Sequence, residues 1–353
     1  MVVHPPMVKE TASPEAPTPA QAPGDVEAID QLGAVSRRMK EQLARVIIGQ
    51  EEVVERLIIS IFGRGHALLV GVPGLAKTLL VRSLAEALSL QFSRIQFTPD
   101  LMPSDITGTE ILQETDQPGR RRFEYVKGPI FANVVLADEI NRAPPKTQSA
   151  LLEAMQEHRV TAGGHLYHLP SPFFVLATQN PVEQEGTYPL PEAQLDRFMF
   201  LIHVGYPSAA EEGRIARETT GGVAEGIEKT IDGEEVLRFQ EVVRRVPVPD
   251  HIYDFVVDLV RRSRPGGERS PEWIRDLVTW GAGPRAVQYL ILGAKARAAL
   301  QGSYLVRIED VEALAEPVLV HRILTSFHAE SEGITSREII KRLIEEARTD
   351  ARV

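Results

Sequence analysis

Short unbroken apolar runs alternate with helically spaced apolar stripes through the first two-thirds of the chain. The runs Ala67–Val70, Phe92–Phe97, Val134–Ala137, Phe173–Ala177 and Phe198–Val204 are of strand length. Apolar runs without polar alternation suit a parallel sheet covered on both faces. Helical stripes lie between and before them: Val54, Leu57, Ile58 and Ile61 ahead of the first run, Val81, Leu84, Ala85 and Leu88 after it, and Leu151, Ala154 and Met155 after the third. Strand alternating with helix predicts a doubly wound α/β core. Beyond Tyr206-Pro-Ser208 a Gly-rich joint (Gly221, Gly222, Gly226, Gly233) leads into a region that reads as helices only. Val246-Pro-Val-Pro-Asp250 breaks one helix, and Asp250 is placed to cap the next, whose stripe is Ile252, Phe255, Val256 and Leu259. Another begins at Gly283-Pro284, with Pro suited to the first helical position, and buries Val287, Leu290, Ile291 and Ala294. The expected division is a Pro-rich tail over 1–25, too poor in apolar surface to order, an α/β core over 26–207, and an all-helical lid over 208–353.

Composition narrows the class. A chain of 353 residues, 43% hydrophobic and 25% charged, holds roughly two ordinary globular domains. The net charge of −10 argues against a generic nucleic-acid binder, whose affinity comes from Lys and Arg on phosphates. With no cysteine there are no disulfides, thiolate metal sites or cysteine nucleophiles. The N-terminus lacks an apolar signal region, and no window approaches the roughly 18 apolar residues of a membrane span. The expectation is a soluble, cytoplasmic protein without membrane insertion.

The chemistry concentrates at the ends of the apolar runs. After Ala67–Val70 come Gly71, Val72, Pro73, Gly74, Leu75, Ala76, Lys77, Thr78 and Leu79, opening a helical stripe. A strand, a Gly/Pro-shaped loop and a helix N-terminus make a phosphate cradle, with Lys77 as a mobile charge and Thr78 placed to hold Mg²⁺. Ala76 stands where the usual pattern has Gly, which is tolerable if that residue has helical dihedrals. Asn133-Val-Val-Leu-Ala-Asp138-Glu139 ends a second buried strand in two carboxylates. Strand alternation would send them different ways, Asp138 toward the metal and Glu139 toward a water that it polarises for attack. Phe173–Ala177 ends in Thr178-Gln179-Asn180, and the Asn180 amide could sit between that water and the γ-phosphate. Leu195-Asp196-Arg197-Phe198 offers Arg197, whose planar fork matches phosphate oxygens, and Arg285 lies one residue into a lid helix. An arginine finger contributes roughly 10³ to 10⁵ in rate.

Gly-x-Pro-Gly-x-Ala-Lys-Thr, Ala-Asp-Glu-Ile-Asn-Arg-Ala-Pro-Pro-Lys-Thr-Gln-Ser-Ala-Leu-Leu-Glu-Ala-Met (137–155), Ala-Thr-Gln-Asn-Pro-Val-Glu-Gln-Glu-Gly-Thr-Tyr-Pro-Leu-Pro-Glu-Ala-Gln-Leu-Asp-Arg-Phe (177–198) and Gly-Pro-Arg-Ala (283–286) together resemble the MoxR family of AAA+ ATPases. The resemblance runs from about residue 30 onward. It implies an AAA+ core with Lys77 and Thr78 in Walker A, Asp138 and Glu139 in Walker B, Asn180 as sensor 1, Arg197 as the finger and Arg285 as sensor 2. Ile48, Gly49 and Gln50 look like the segment bordering the adenine. It further implies ATP and Mg²⁺ as cofactors and a ring homo-oligomer, usually a hexamer, with nucleotide between subunits. Implied too is chaperone-like action on protein clients, often ones with a von Willebrand factor A domain. Residues 100–130 resemble an insertion in helix 2, and Arg159–Leu169 a hairpin before sensor 1. Arg285 could serve its own site or a neighbour's.

Other signals weigh less. His165 and His168, three apart in a strand, face opposite ways, and no third ligand is evident. Arg120, Arg121 and Arg122 before Phe123 and Tyr125 could touch nucleic acid, but a solvated or protein-gripping loop fits the acidic chain better. Arg261, Arg262 and Arg264 read as a favourable interaction with a helix dipole. Two alternatives to an ATP-driven remodeller stay open: a DNA-stimulated translocase, and a nucleotide-gated scaffold with little turnover.

Overall fold

The computed structural model describes residues 24–114, 121–182, 186–221 and 226–350. The tail expected to be disordered, and Arg120, therefore fall outside the described residues, save for the tail's last two positions. Gly24 precedes α1 (Asp25–Ala44), and Asp25 is buried, where its carboxylate receives Arg245 at 2.7 Å. Helix α2 (Glu51–Phe62) follows and buries its whole predicted stripe.

The core is a five-stranded parallel sheet. β1 (Ala67–Val70), β2 (Phe92–Gln96), β5 (Val134–Asp138), β8 (Phe174–Gln179) and β9 (Phe200–His203) lie in the order β2-β5-β8-β1-β9. Every neighbouring pair is parallel. The connections are helices, among them α3 (Lys77–Ala87) after β1 and α5 (Pro145–Glu157) after β5. Alternate side chains explain the unbroken apolar runs. Val134 and Leu136 enter one buried cluster, with Leu69, Leu176, α1, α2 and α3, while Val135 and Ala137 enter the other, with Val175, Leu151 and Met155.

Between β2 and β5 stand α4 (Pro103–Thr107) and a hairpin of β3 (Gly108–Glu114) and β4 (Arg121–Lys127), the insertion expected over 100–130. β6 (Arg159–Ala162) and β7 (His165–His168) form the expected second hairpin. The two hairpins touch where the Tyr125 and Tyr167 rings stack at 4.2 Å. Helix α6 (Glu192–Leu195) leads to β9, and α7 (Ala209–Thr220) follows behind a Ser208–Glu211 capping box.

The lid comprises α8 (Gly233–Arg245), α9 (Asp250–Arg262), α10 (Glu272–Leu277), α11 (Pro284–Leu300), α12 (Ile308–Leu319), α13 (Phe327–Ser331) and α14 (Ser336–Asp350). One exception corrects the helices-only reading: β10 (Val278–Trp280) and β11 (Leu324–Thr325) form a short antiparallel ribbon, too brief to show a period of two. Asp250 is the first residue of α9 rather than its cap, and Pro249 takes the cap position. Arg262 is not simply facing a helix dipole, because it is buried and bridges Asp258 and Asp350 at 2.5 Å each. The lid shares the larger apolar cluster with the sheet. At Gly293 of α11 a Cβ would stand 2.8 Å from the Leu314 Cδ1 methyl and 3.1 Å from the Met199 Cε methyl, so lid helix and sheet pack closely there. No helix among the described residues is long and apolar enough to cross a membrane.

Candidate active site

The carboxyl edge of an open parallel sheet is where its loops can enclose a ligand. Here the loop after β1 crosses that edge into α3, around a cavity of about 550 Å³. Pro73, Gly74, Leu75, Ala76, Lys77, Thr78 and Leu79 form one wall, and Asp138, Glu139, Thr178, Asn180 and Arg94 the other. Gly71 is required by packing: a Cβ there would lie 2.7 Å from the Val204 carbonyl at the end of β9. Val72 packs on the core, and Gly74 turns the loop at φ 86°.

Ala76 departs from expectation. Its φ of 54° and ψ of 22° are left-handed, not helical, so its methyl is held in a strained conformation that the usual glycine would adopt freely. Gln50 (φ 62°) and Glu139 (φ 56°) share that conformation at the same site. Strain held by non-glycine residues concentrates where geometry is imposed by surrounding structure. No side chain caps the N-terminus of α3. Its amides and positive dipole end therefore face the cavity as an anion site.

Lys77 donates its Nζ to the Gly71 carbonyl. Burial pulls its pKa below the ordinary lysine value, against the opposing pull of Asp138 and Glu139. Asp138 ends β5, and its Oδ2 receives Nε (3.0 Å) and Nη2 (2.7 Å) of Arg94 from β2. Thr178 donates to Oδ1 of Asp138 (2.6 Å) and accepts the Glu139 amide (2.8 Å). Glu139 lies outside the strand, so its direction comes from its left-handed backbone, correcting the alternation argument. Its Oε2 accepts from Gln96 (2.8 Å) and Arg142 (2.9 Å). Asn180 is buried, with its carbonyl oxygen turned onto the Val182 amide at 3.1 Å. The facing donor set, a carboxylate and a hydroxyl from Asp138 and Thr78, is of the hard-oxygen kind Mg²⁺ takes. The uncapped helix, Lys77 and this donor set fit a magnesium–triphosphate.

Sequence reasoning missed Arg94, Gln96 and Arg142. A signal existed for the first two. They are i, i+2 neighbours, so they share one face of β2, and Gln96 pairs in register with Asp138. Ile48 is buried, and a Cβ on Gly49 would strike the Glu211 carboxylate. Gln50 donates to the Leu75 carbonyl at 3.4 Å, joining this segment to the phosphate loop without lining the cavity.

Ile48, Gly49, Gln50, Gly71 and Val72 adjoin the loop without lining this cavity, and Arg197 and Arg285 are placed well away from it. Arg197 precedes β9, whose Phe200 pairs with Ala67, so Arg197 lies at the amino edge of the sheet. The four residues of β9 alone span about 13 Å. There Arg197 donates to the Leu152 carbonyl (2.7 Å), and Arg285 pairs with Asp196 (2.9 Å). Both arginines line a separate cavity of about 200 Å³ with Arg64, His66, His158 and Tyr289.

Comparison with known proteins gives the chain's family. A family described as "ATPase family associated with various cellular activities (AAA)" matches residues 66–200, and an AAA lid domain matches 272–343. The chain is 42% identical to Chaperone MoxR1 of Mycobacterium tuberculosis over 335 residues, covering 95% of this chain and 87% of that one. It is 43% identical to YeaC of Bacillus subtilis over 305 residues, covering 86% and 91%. Among solved structures, a candidate ATPase from Cytophaga hutchinsonii superposes with a TM-score of 0.84 at 42% identity, covering 90% of this chain and 96% of that one.

Proposed function

Because this chain belongs to the MoxR family of AAA+ ATPases, we propose that it binds and hydrolyses ATP between neighbouring copies of itself, as a ring-forming, chaperone-like remodeller of protein partners. In this reading the phosphates rest on the α3 N-terminus against Lys77, and Ile48, Gly49 and Gln50 border the base. Thr78 and Asp138 hold Mg²⁺, which when bound neutralises charge on the phosphates. Glu139, oriented by Gln96 and Arg142, polarises the attacking water, and Asn180 stands on the same wall. Arg197, with Arg285 beside it, reaches the triphosphate of the next subunit and stabilises charge developing at transfer.

The observation that carries this reading is the division of the machinery across the sheet. Loop, carboxylates and Asn180 surround one cavity, while both arginines stand at the opposite edge. A side chain under about 8 Å long cannot cross a strand of about 13 Å, so neither arginine reaches the cavity of its own subunit, which supports a neighbour as the recipient. A hexamer is the ring the family suggests. Protein clients, those with von Willebrand factor A domains among them, fit the first hairpin, which exposes Leu112 and Phe123 as a cross-strand pair. The net charge of −10 argues against a nucleic-acid track. The cytoplasm, a reducing compartment, suits a chain without cysteine.

Mixing tests the shared site. Lys77→Ala should abolish nucleotide binding and Arg197→Ala should abolish turnover alone. Combined, they should regain part of the activity, because a Lys77→Ala subunit still offers its arginine. Failure to regain any would refute the shared site.

A further inference from the structure

The turn that carries Arg197 is gripped by the lid of its own subunit. Arg322, just past α12, has a side chain only 2% exposed. Its Nε meets Oδ1 of Asp196 at 2.7 Å, its Nη2 donates to the carbonyls of Asp196 and Phe198 at 2.8 Å each, and its Nη1 donates to the Val318 carbonyl. The hydroxyl of Tyr289 donates to the Arg197 carbonyl at 3.0 Å. His321 is 3.2 Å from the Phe198 carbonyl through Nε2, which must be the protonated nitrogen because a carbonyl only accepts. Burial and the Arg322 charge hold this imidazole well below its usual range, so it is neutral. With Arg322 Nη1 also 3.4 Å from the Met199 carbonyl, lid side chains bind four successive carbonyls, 196 to 199.

Asp196 is the shared element. One carboxylate oxygen holds buried Arg322, and the other holds Arg285 at 2.9 Å. The two grips differ in kind. The Arg322 side chain is enclosed, so breaking its pair would strand a buried charge. The Arg285 side chain is 37% exposed, and a half-exposed pair is weak and readily exchanged.

Resting on the shared-site reading above, we infer that Asp196 is a positioning residue for Arg197. Arg322 anchors it to the lid, and Arg285 is parked on it until a neighbour's phosphate draws that arginine away. Lid posture in one subunit then sets the arginine presented to the next.

Asp196→Asn in the full chain preserves shape and removes the charge both arginines use. Turnover should fall roughly 10- to 100-fold, the scale of an ångström-level misplacement of a catalytic group. ATP affinity by calorimetry should change less than about twofold, since the variant's own phosphate loop is untouched. Lys77→Ala subunits, which carry an intact Asp196–Arg197 turn, should restore activity to Asp196→Asn subunits, whereas Arg197→Ala subunits should not. A defect in folding or assembly would give rescue with neither. Arg322→Met should repeat the pattern; if it fails to fold, Asp196→Asn carries the test. Undiminished turnover, rescue by Arg197→Ala, or rescue by neither overturns the inference. The Lys77→Ala and Arg197→Ala mixture is run in parallel. No gain there removes the shared-site reading and this inference with it, while a gain there beside an aberrant Asp196→Asn removes only the inference.

Discussion

His66, just before β1, makes a quantitative prediction about acid stability. The ring is buried: one nitrogen lies 3.2 Å from the Met155 carbonyl and the other accepts the Val175 amide at 3.0 Å. Phe173, Phe174 and His158 surround it. Burial, opposed by the Met155 bond and reinforced by His158, lowers its pKa from 6.5 to about 4. The unfolded chain therefore takes up a proton below pH 6.5, while the native state resists until about 4. The native state loses stability as pH falls through that window and regains it as pH rises. At about 1.36 kcal/mol for each tenfold, the whole window amounts to roughly 3 kcal/mol, most of it lost by pH ~4.5. His66→Asn keeps a donor and an acceptor but cannot titrate. Urea unfolding of parent and variant, compared between about pH 7.5 and 4.5, cancels the carboxylates common to both. The parent should lose roughly 2–3 kcal/mol more than the variant across that interval. Parallel pH dependences, or a steeper loss in the variant, would refute the assignment of a neutral, buried imidazole.

Two further outcomes follow from the phosphate cavity. Gly71→Ala puts a Cβ 2.7 Å from the Val204 carbonyl and 3.0 Å from its Cβ, so the ends of β1 and β9 must part. It should cost about 1–3 kcal/mol of stability and weaken ATP binding, and unchanged melting and calorimetry would contradict the close approach. Glu139→Gln should bind ATP near parental affinity while phosphate release drops roughly 10²- to 10⁴-fold, and turnover at the parental rate would remove Glu139 as the base.

Much of the site was legible because it is written locally. A strand, a loop with glycines at fixed offsets and a helical stripe lie within twenty or so residues, and each uses a period or a dihedral that the residue types declare. All five predicted strands of the sheet form within a few residues of their expected limits. The paired carboxylates and Asn180 were found for the same reason, as polar endings of buried runs.

What neighbours in sequence cannot declare is who meets whom. Arg94 and Gln96 acquire meaning only when β2 pairs with β5 and sets them beside Asp138 and Glu139. The left-handed Ala76 and Glu139 are imposed by the loops around them, against the preference of their own side chains. Nothing near Arg322 in the chain points to Asp196, which is 126 residues away. Local periodicity determined the elements and their chemical endings. The order of strands and the seating of the lid decided which endings share a cavity and which arginines face away, because those depend on burial between segments far apart in the chain.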